Sequence, residues 1–292
     1  MAEALALEGF KVLSLALNVP GCAAVHRLKQ FGAQVTKVEP PTVDPMLEMN
    51  REWYAALTQG IRILRLDLKE PSQRKRFDEL LSQSDLLLTS MRPAALSRLG
   101  LGWEEIHSRY PELCQVAMTG YPAPQENRPG HDLTYQAELG LLSPPELPRS
   151  ILADLAGVER SVSAALALLL ARQRGQGGGY AQVSLLEAGR AFSEPLHYGL
   201  TAPGGILGGG LPGYNLYPAR SGWVAVATLE GHFQNKLLQE LGLENSDGLA
   251  QAFQERTAEE WERWACQRDL PISAVREIPK PFSTEEESQP AS

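Results

Sequence analysis

Cysteine is scarce in this 292-residue chain: the three present, Cys22, Cys114 and Cys266, lie far apart, with no CxxC and no Cys–His spacing. That excludes a disulfide framework and an enclosed zinc site, so a reducing, cytoplasmic setting and no metal are expected. Long hydrophobic runs are missing too. Stretches such as Ala164 to Ala171 are too short to span a bilayer, and Glu3 and Glu8 stand where a signal peptide carries basic residues, so no membrane attachment is expected. There is no basic excess: Lys and Arg number 27 against 35 Asp and Glu, a formal net charge of −8. Such a chain has no general field to draw in nucleic acid, and an anionic ligand has to be held by local arginines. Two phosphate-binding signatures are also lacking. The cluster Gly175 to Gly179 has no Gly-Lys-Ser/Thr end, and Asn18-Val-Pro-Gly21 stands where GxGxxG would follow a first strand, which argues against a P-loop and against a dinucleotide cofactor.

What is present is an alternation of short β-rich runs with helical patterns. Phe10 to Ala16, Gln34 to Glu39, Arg62 to Leu68, Asp85 to Thr89 and Leu113 to Thr119 read as strands, and Pro20 to Phe31 and Pro71 to Gln83 as helices. Helices of this length between strands imply an α/β fold, a doubly wound and mostly parallel sheet of Rossmann-like type. From Asp154 to Arg172, Leu155, Val158, Val162, Leu166 and Leu169 recur at helical spacing; Gly175 to Gly179 ends that helix, and Tyr180 to Leu186 reads as a further strand. The stretch Pro203 to Gly213 is rich in glycine and reads as a hinge. Beyond it, Trp223 to Thr228 reads as a strand, and Phe233 to Leu241 and Ala258 to Arg268 as helices. The expected organisation is a large α/β domain over 1–202, a hinge at 203–213, a smaller α+β domain over 214–282 and a disordered acidic tail from 283 to 292.

Nine segments, in order from Leu7 to Ser184, with Glu230 matching beyond them, resemble the family III CoA-transferases, the CaiB/BaiF group that includes α-methylacyl-CoA racemase. They are Leu7 to Leu13, Phe31 to Pro41, Arg62 to Lys69, Ser84 to Leu88, Arg92-Pro93, Leu99 to Gly102, Gly130 to Tyr135, Leu152 to Gly157 and Tyr180 to Ser184. Individually most are weak signals; their collinear order is what carries the resemblance.

The resemblance implies an acyl-CoA substrate whose thioester reaches a catalytic aspartate, at Asp154. Asp ahead of a long apolar helix also reads as an N-cap, and helix-start N–H groups favour its anionic form. The run Gly130-His131-Asp132-Leu133-Thr134-Tyr135 has the pattern of the racemase-like members. It implies that His131 and Asp154 serve as acid and base on opposite faces of the carbon beside the thioester. A histidine after Pro-Gly reads equally as a surface-loop residue. Glu230 matches a carboxylate that such members hold near the histidine, and by itself it reads as a solvated strand-end residue. For CoA, the matched positions are Leu66, Arg92 and Arg98, with Lys37 and Arg62 nearby in pattern; guanidinium forks suit phosphate, although scattered arginines are usually solvated. Asp132, Tyr135 and Leu155 would line the thioester and pantetheine region, Tyr135 equally as packing.

Two departures stand out. Relatives are longer, and Pro271 to Phe282 stands in abbreviated form where they return to the large domain, which weakens the expectation of their interlocked homodimer. Pro40 replaces a basic residue, so one adenosine contact is expected to be missing. Three readings follow: an acyl-CoA racemase working by α-proton exchange, a CoA-transferase working through an aspartyl anhydride, and a noncatalytic acyl-CoA-binding homologue. None calls for a cofactor beyond the CoA moiety of the substrate.

Overall fold

The structure is a computed structural model that describes residues 5–277; the tail expected over 283–292 lies outside the described residues. The chain forms two compact units that divide between Glu194 and Pro195.

In the first unit the strands are β1 (Lys11–Ser14), β2 (Gln34–Glu39), β3 (Arg62–Arg65), β4 (Leu86–Thr89), β5 (Cys114–Thr119) and β6 (Tyr180–Ser184). Between and after them run α1 (Asn18–Gln30), α2 (Pro45–Met49), α3 (Arg51–Thr58), α4 (Pro71–Leu81), α5 (Pro93–Arg98), α6 (Trp103–Arg109), α7 (Asp132–Glu138), α8 (Leu152–Ala171) and α9 (Leu185–His197). All six strands pair in parallel, in the order β3-β2-β1-β4-β5-β6. This is the doubly wound α/β fold expected from the alternation of patterns.

The burial of the strands explains the order. Every residue of β4 and β5 is buried, as central strands covered on both faces require, whereas β3 carries exposed Arg62 and Arg65 at the sheet edge. Alternate side chains then feed two cores. Val12, Leu86, Leu88 and Val116 pack with Val25 and Leu28 of α1 and Val158, Val162 and Leu169 of α8. Leu13, Val38 and Leu87 pack on the other face with Phe77 and Leu81 of α4 and Ile106 of α6. Each such side chain contributes about 1.5–3 kcal/mol by leaving water.

The strand order reverses between β1 and β4, and the carboxyl ends of the strands on either side of that point leave a crevice, where doubly wound folds take ligands. Gly21 brings α1 against the end of β1: a Cβ there would run into the backbone carbonyl group of Ala16.

The second unit has an antiparallel sheet, β7 (Tyr214–Pro218), β8 (Trp223–Ala227) and β9 (Ile272–Ala274), in the order β7-β8-β9. Its helices are α10 (Gly231–Leu241), α11 (Leu249–Ala252) and α12 (Ala258–Cys266). The core joins Val224 and Val226 of β8 to Leu237, Phe253, Trp261 and Trp264. Thr257 and Glu260 form a reciprocal cap on α12, Thr257 N–H donating to Glu260 Oε2 at 2.8 Å and Glu260 N–H to Thr257 Oγ1 at 3.3 Å. The glycine-rich stretch 203–213 lies inside this unit, folded on itself by bonds such as Gly204 N–H to Gly208 O and Gly210 N–H to Gly205 O.

Candidate active site

The start of α8 is built differently from the sequence expectation. The helix begins at Leu152, which puts Asp154 inside the first turn and not at the cap, and Ile151 at the cap position offers no side-chain bond. The capping acceptor comes from α7. Asp132 Oδ1 takes the N–H groups of Ala153 at 2.8 Å and Asp154 at 3.1 Å. Gln136 secures Asp132 by donating to its Oδ2 and to the Ser150 carbonyl, the latter at 2.8 Å.

This arrangement reverses the electrostatics expected at Asp154. The helix-start dipole and its free N–H groups are taken up by a buried carboxylate, so they no longer favour a second negative charge. The half-buried Asp154 carboxyl makes no hydrogen bond or ion pair among the described residues. Burial first, and repulsion from Asp132 second, push its pKa up to about 7.

His131 immediately precedes α7 in extended conformation. Its backbone is pinned by Thr134, whose hydroxyl accepts the His131 N–H at 3.1 Å and donates to the His131 carbonyl at 2.7 Å. The exposed side chain is left to face the crevice. Tyr135 is buried and meets Tyr121 edge-on, with ring centroids 5.3 Å apart. Burial, then the neighbouring Asp154 carboxylate, raise the Tyr135 phenol, which therefore stays protonated. Gly130 is required by this pair of rings: a Cβ on it would approach Tyr135 Cε1 to 2.6 Å and Tyr121 Cε2 to 2.7 Å.

Three cavities follow one another across the first unit. An apolar slot of about 190 Å³ lies beyond β1, β2 and β3, among Leu15, Val38, Pro40, Leu66 and Leu99. It shares Leu17 and Met91 with a more polar cavity of about 240 Å³ that is lined by Ser90, Arg92, Thr119, Arg128 and Tyr135. On the far side is a mostly apolar cavity of about 630 Å³ that includes Val19, Met49, Leu133, Leu147 and Ile151. The last two cavities have three residues in common: Asn18, His131 and Asp154.

Tertiary structure thus brings together Asp154, His131, Tyr135, Arg92 and Asp132, with Leu66 at the slot. Other expected residues fall elsewhere. Leu155 is exposed, and neither it nor Arg98, at the solvent-facing end of α5, lines any of the three cavities. Glu230 is exposed on the second unit at the cap of α10. Lys37 is removed from any phosphate role: it is fully buried and bonded to Glu39 at 2.7 Å and Asp44 at 2.6 Å. A lysine enclosed in the interior by two carboxylates has its charge compensated there and is out of reach of a ligand. Three residues passed over in the sequence line the cavities, Asn18, Lys69 and Arg128. Arg128 stacks 4.1 Å from the Tyr121 ring centroid and pairs with Glu138 at 2.7 Å. Only a positive φ marks Asn18, which composition does not reveal.

A doubly wound sheet with an aspartate and a histidine at the junction of two cavities defines an α/β protein with its candidate site beyond the strand ends, where such folds take ligands. The profile of CoA-transferase family III matches residues 7–289, and the chain belongs to that family. Its relatives include succinyl-CoA--D-citramalate CoA-transferase of Chloroflexus aurantiacus, 29% identical over 81% of this chain and 65% of the relative. Human alpha-methylacyl-CoA racemase is 30% identical over 88% of this chain and 74% of its own. Both are enzymes, and this chain spans about two thirds of the first one's length. The fold matches a solved hypothetical protein, Rv3272, of Mycobacterium tuberculosis, with a TM-score of 0.80, 24% identity, and 93% and 84% of the two chains covered. It also matches a CaiB/BaiF family protein from Brucella suis with a TM-score of 0.79, at 20% identity, over 94% and 85% of the two chains. No helix among the described residues is long and apolar enough to cross a membrane.

Proposed function

We propose that this protein binds acyl-CoA thioesters and exchanges the proton on the carbon beside the thioester carbonyl, racemising 2-methylacyl-CoA substrates. The observation that carries this reading is Asp154: a carboxyl with no bonding partner among the described residues, pushed up to about 7 and lining the same two cavities as His131. An acid–base catalyst works best with a pKa near the working pH, whereas a carboxylate nucleophile gains from being fully ionised.

The order of the cavities suits the substrate. The slot at Leu66 takes the adenine, Arg92 and Arg128 face the phosphates and pantetheine, the thioester reaches Asp154, and the acyl chain enters the larger apolar cavity. One of the pair, His131 or Asp154, takes the α-proton, leaving an enolate. The other delivers a proton to the opposite face, and the epimer is released. The reading calls for no cofactor beyond CoA, and three free cysteines suit a reducing cytoplasm.

The split among the relatives favours a second reading, transfer of CoA between carboxylic acids through an anhydride at Asp154. Incubation with 2-methylacyl-CoA in heavy water, with and without an acceptor acid, separates the two. Deuterium at the α-carbon without CoA transfer is expected; CoA exchange without α-deuteration would overturn the racemase reading.

A homodimer is part of this proposal. Phe192, Tyr198, Ile206 and Leu216 are large apolar side chains left exposed on the single chain, which supports a covering partner. Sedimentation at micromolar concentration should give a dimer, and a monomer would overturn this part.

A further inference from the structure

Three residues line both cavities that meet at the reaction centre, and two of them, His131 and Asp154, already have roles. The third is Asn18. Its backbone stands at φ 60°, in the left-handed region, where few residues other than glycine are found. Asparagine tolerates that region better than most, so conformation alone could account for the residue type. Its surroundings point further.

The chain here is held from both sides. Leu17 N–H donates to Ser90 Oγ at 2.9 Å, and Asn18 N–H donates to Asp44 Oδ1 at 3.0 Å. Asp44 is itself fixed inside the protein, its Oδ2 accepting from Lys37 Nζ at 2.6 Å and from Cys22 Sγ at 3.4 Å. Lys37 reaches Glu39 at 2.7 Å, and Tyr54 hydroxyl donates to the same Glu39 oxygen at 2.6 Å. Val43, next to Asp44, also has a positive φ, 63°, a costly conformation for a β-branched residue. Buried charges are expensive, and here they hold a carboxylate whose Oδ1 fixes two main-chain N–H groups, that of Asn18 and, at 2.9 Å, that of Met46 at the start of α2. With its backbone held in this way, the side-chain amide of Asn18 makes no hydrogen bond among the described residues, and Asn18 lines the junction where the thioester would lie.

We propose that the Asn18 side-chain amide is a catalytic hydrogen-bond donor to the thioester oxygen. It would stabilise the negative charge that develops there when the α-proton leaves, or when a carboxylate adds to the carbonyl. Lys37 and Asp44 are then positioning residues. The assignment rests on the acyl-CoA reading of the site, and it holds for either chemistry, because both place negative charge on that oxygen. A donor fixed in advance at such a point commonly accounts for a factor of about 10²–10³ in kcat.

Two variants separate the amide from the backbone. Asn18→Gly adopts the left-handed conformation without cost but has no amide; Asn18→Asp keeps the shape and loses the donor. The purified chain is assayed with 2-methylacyl-CoA for α-deuteration and for CoA exchange, alongside calorimetric binding of the same substrate. Both variants should lose at least about tenfold in kcat, with KM and binding within about threefold of wild type. The glycine variant decides the matter should the aspartate variant fail to fold. A glycine variant with less than a tenfold loss, or one whose loss lies in KM, would overturn the assignment and leave Asn18 as a turn residue. A wild-type protein that catalyses neither reaction would overturn the acyl-CoA reading and this assignment together.

Discussion

With His131 replaced by alanine, deuterium should enter one epimer of 2-methylacyl-CoA at least about a hundredfold more slowly while the other is much less affected, because each residue serves one face of the α-carbon. Asp154→Asn should show the opposite bias. Mass spectrometry of resolved epimers in heavy water measures both. Equal loss for both epimers in both variants would defeat the assignment of opposed acid and base. If Asp154 is instead a nucleophile, Asp154→Asn abolishes CoA exchange and His131→Ala leaves most of it, since no α-proton moves in that chemistry. The pH dependence has a definite sign. Exchange that begins with Asp154 as base needs its carboxylate and is lost as pH falls below about 7; exchange that needs Asp154 as acid is lost above it. The same carboxyl opposes folding when ionised. Its pKa is raised in the folded state, so stability is fully present below the unfolded value near 3.8 and declines as pH rises through about 7. Asp154→Asn should therefore melt higher than wild type at pH 8 and close to it at pH 4.

Asp132→Ala should clearly destabilise the first unit. It strips the acceptor from the N–H groups of Ala153 and Asp154 and from the Gln136 amide, all at a buried helix start. Loss of a cap with buried donors left unpaired costs on the order of 2–3 kcal/mol, a clear fall in the urea midpoint. Asp132→Asn keeps Oδ1 to accept those N–H groups, removes the charge and turns Oδ2, the acceptor of the Gln136 amide, into a donor. It should lose less stability than Asp132→Ala while the Asp154 carboxyl moves part of the way back toward the ordinary carboxylate range, because repulsion is the lesser of its two causes and burial remains. The pH profile of α-proton exchange should shift to lower pH in that variant. An unchanged profile with unchanged stability would show that Asp132 exerts no electrostatic control over Asp154.

The sequence by itself determined the six strands of the first unit, β8, the longer helices α1, α4, α8, α10 and α12, and the order in which they alternate; β7, β9 and the shorter helices were not legible in it. Runs such as Leu86 to Thr89 and Cys114 to Thr119 are mostly apolar because they are covered on both faces, and Val158, Val162 and Leu169 recur at helical spacing because one face of α8 is packed. Those signals are local, and they survive in a string of letters. The run Gly130 to Tyr135 was legible through the family resemblance alone, and the rings of Tyr135 and Tyr121 that require its glycine meet it only in the fold. Only the tertiary structure decided the ionisation at the site. The cap of α8 comes from Asp132, on another helix, so the aspartate that looked like a cap became a half-buried acid, and the one beside the histidine became the cap. Lys37, a surface-like basic residue in the sequence, was drawn inward by Asp44 and lost to the ligand, while that same carboxylate fixed Asn18 at the crevice. Charge–charge and hydrogen-bond partners in a low-dielectric interior are chosen by folding, not by spacing along the chain, and a pKa belongs to that assembled environment.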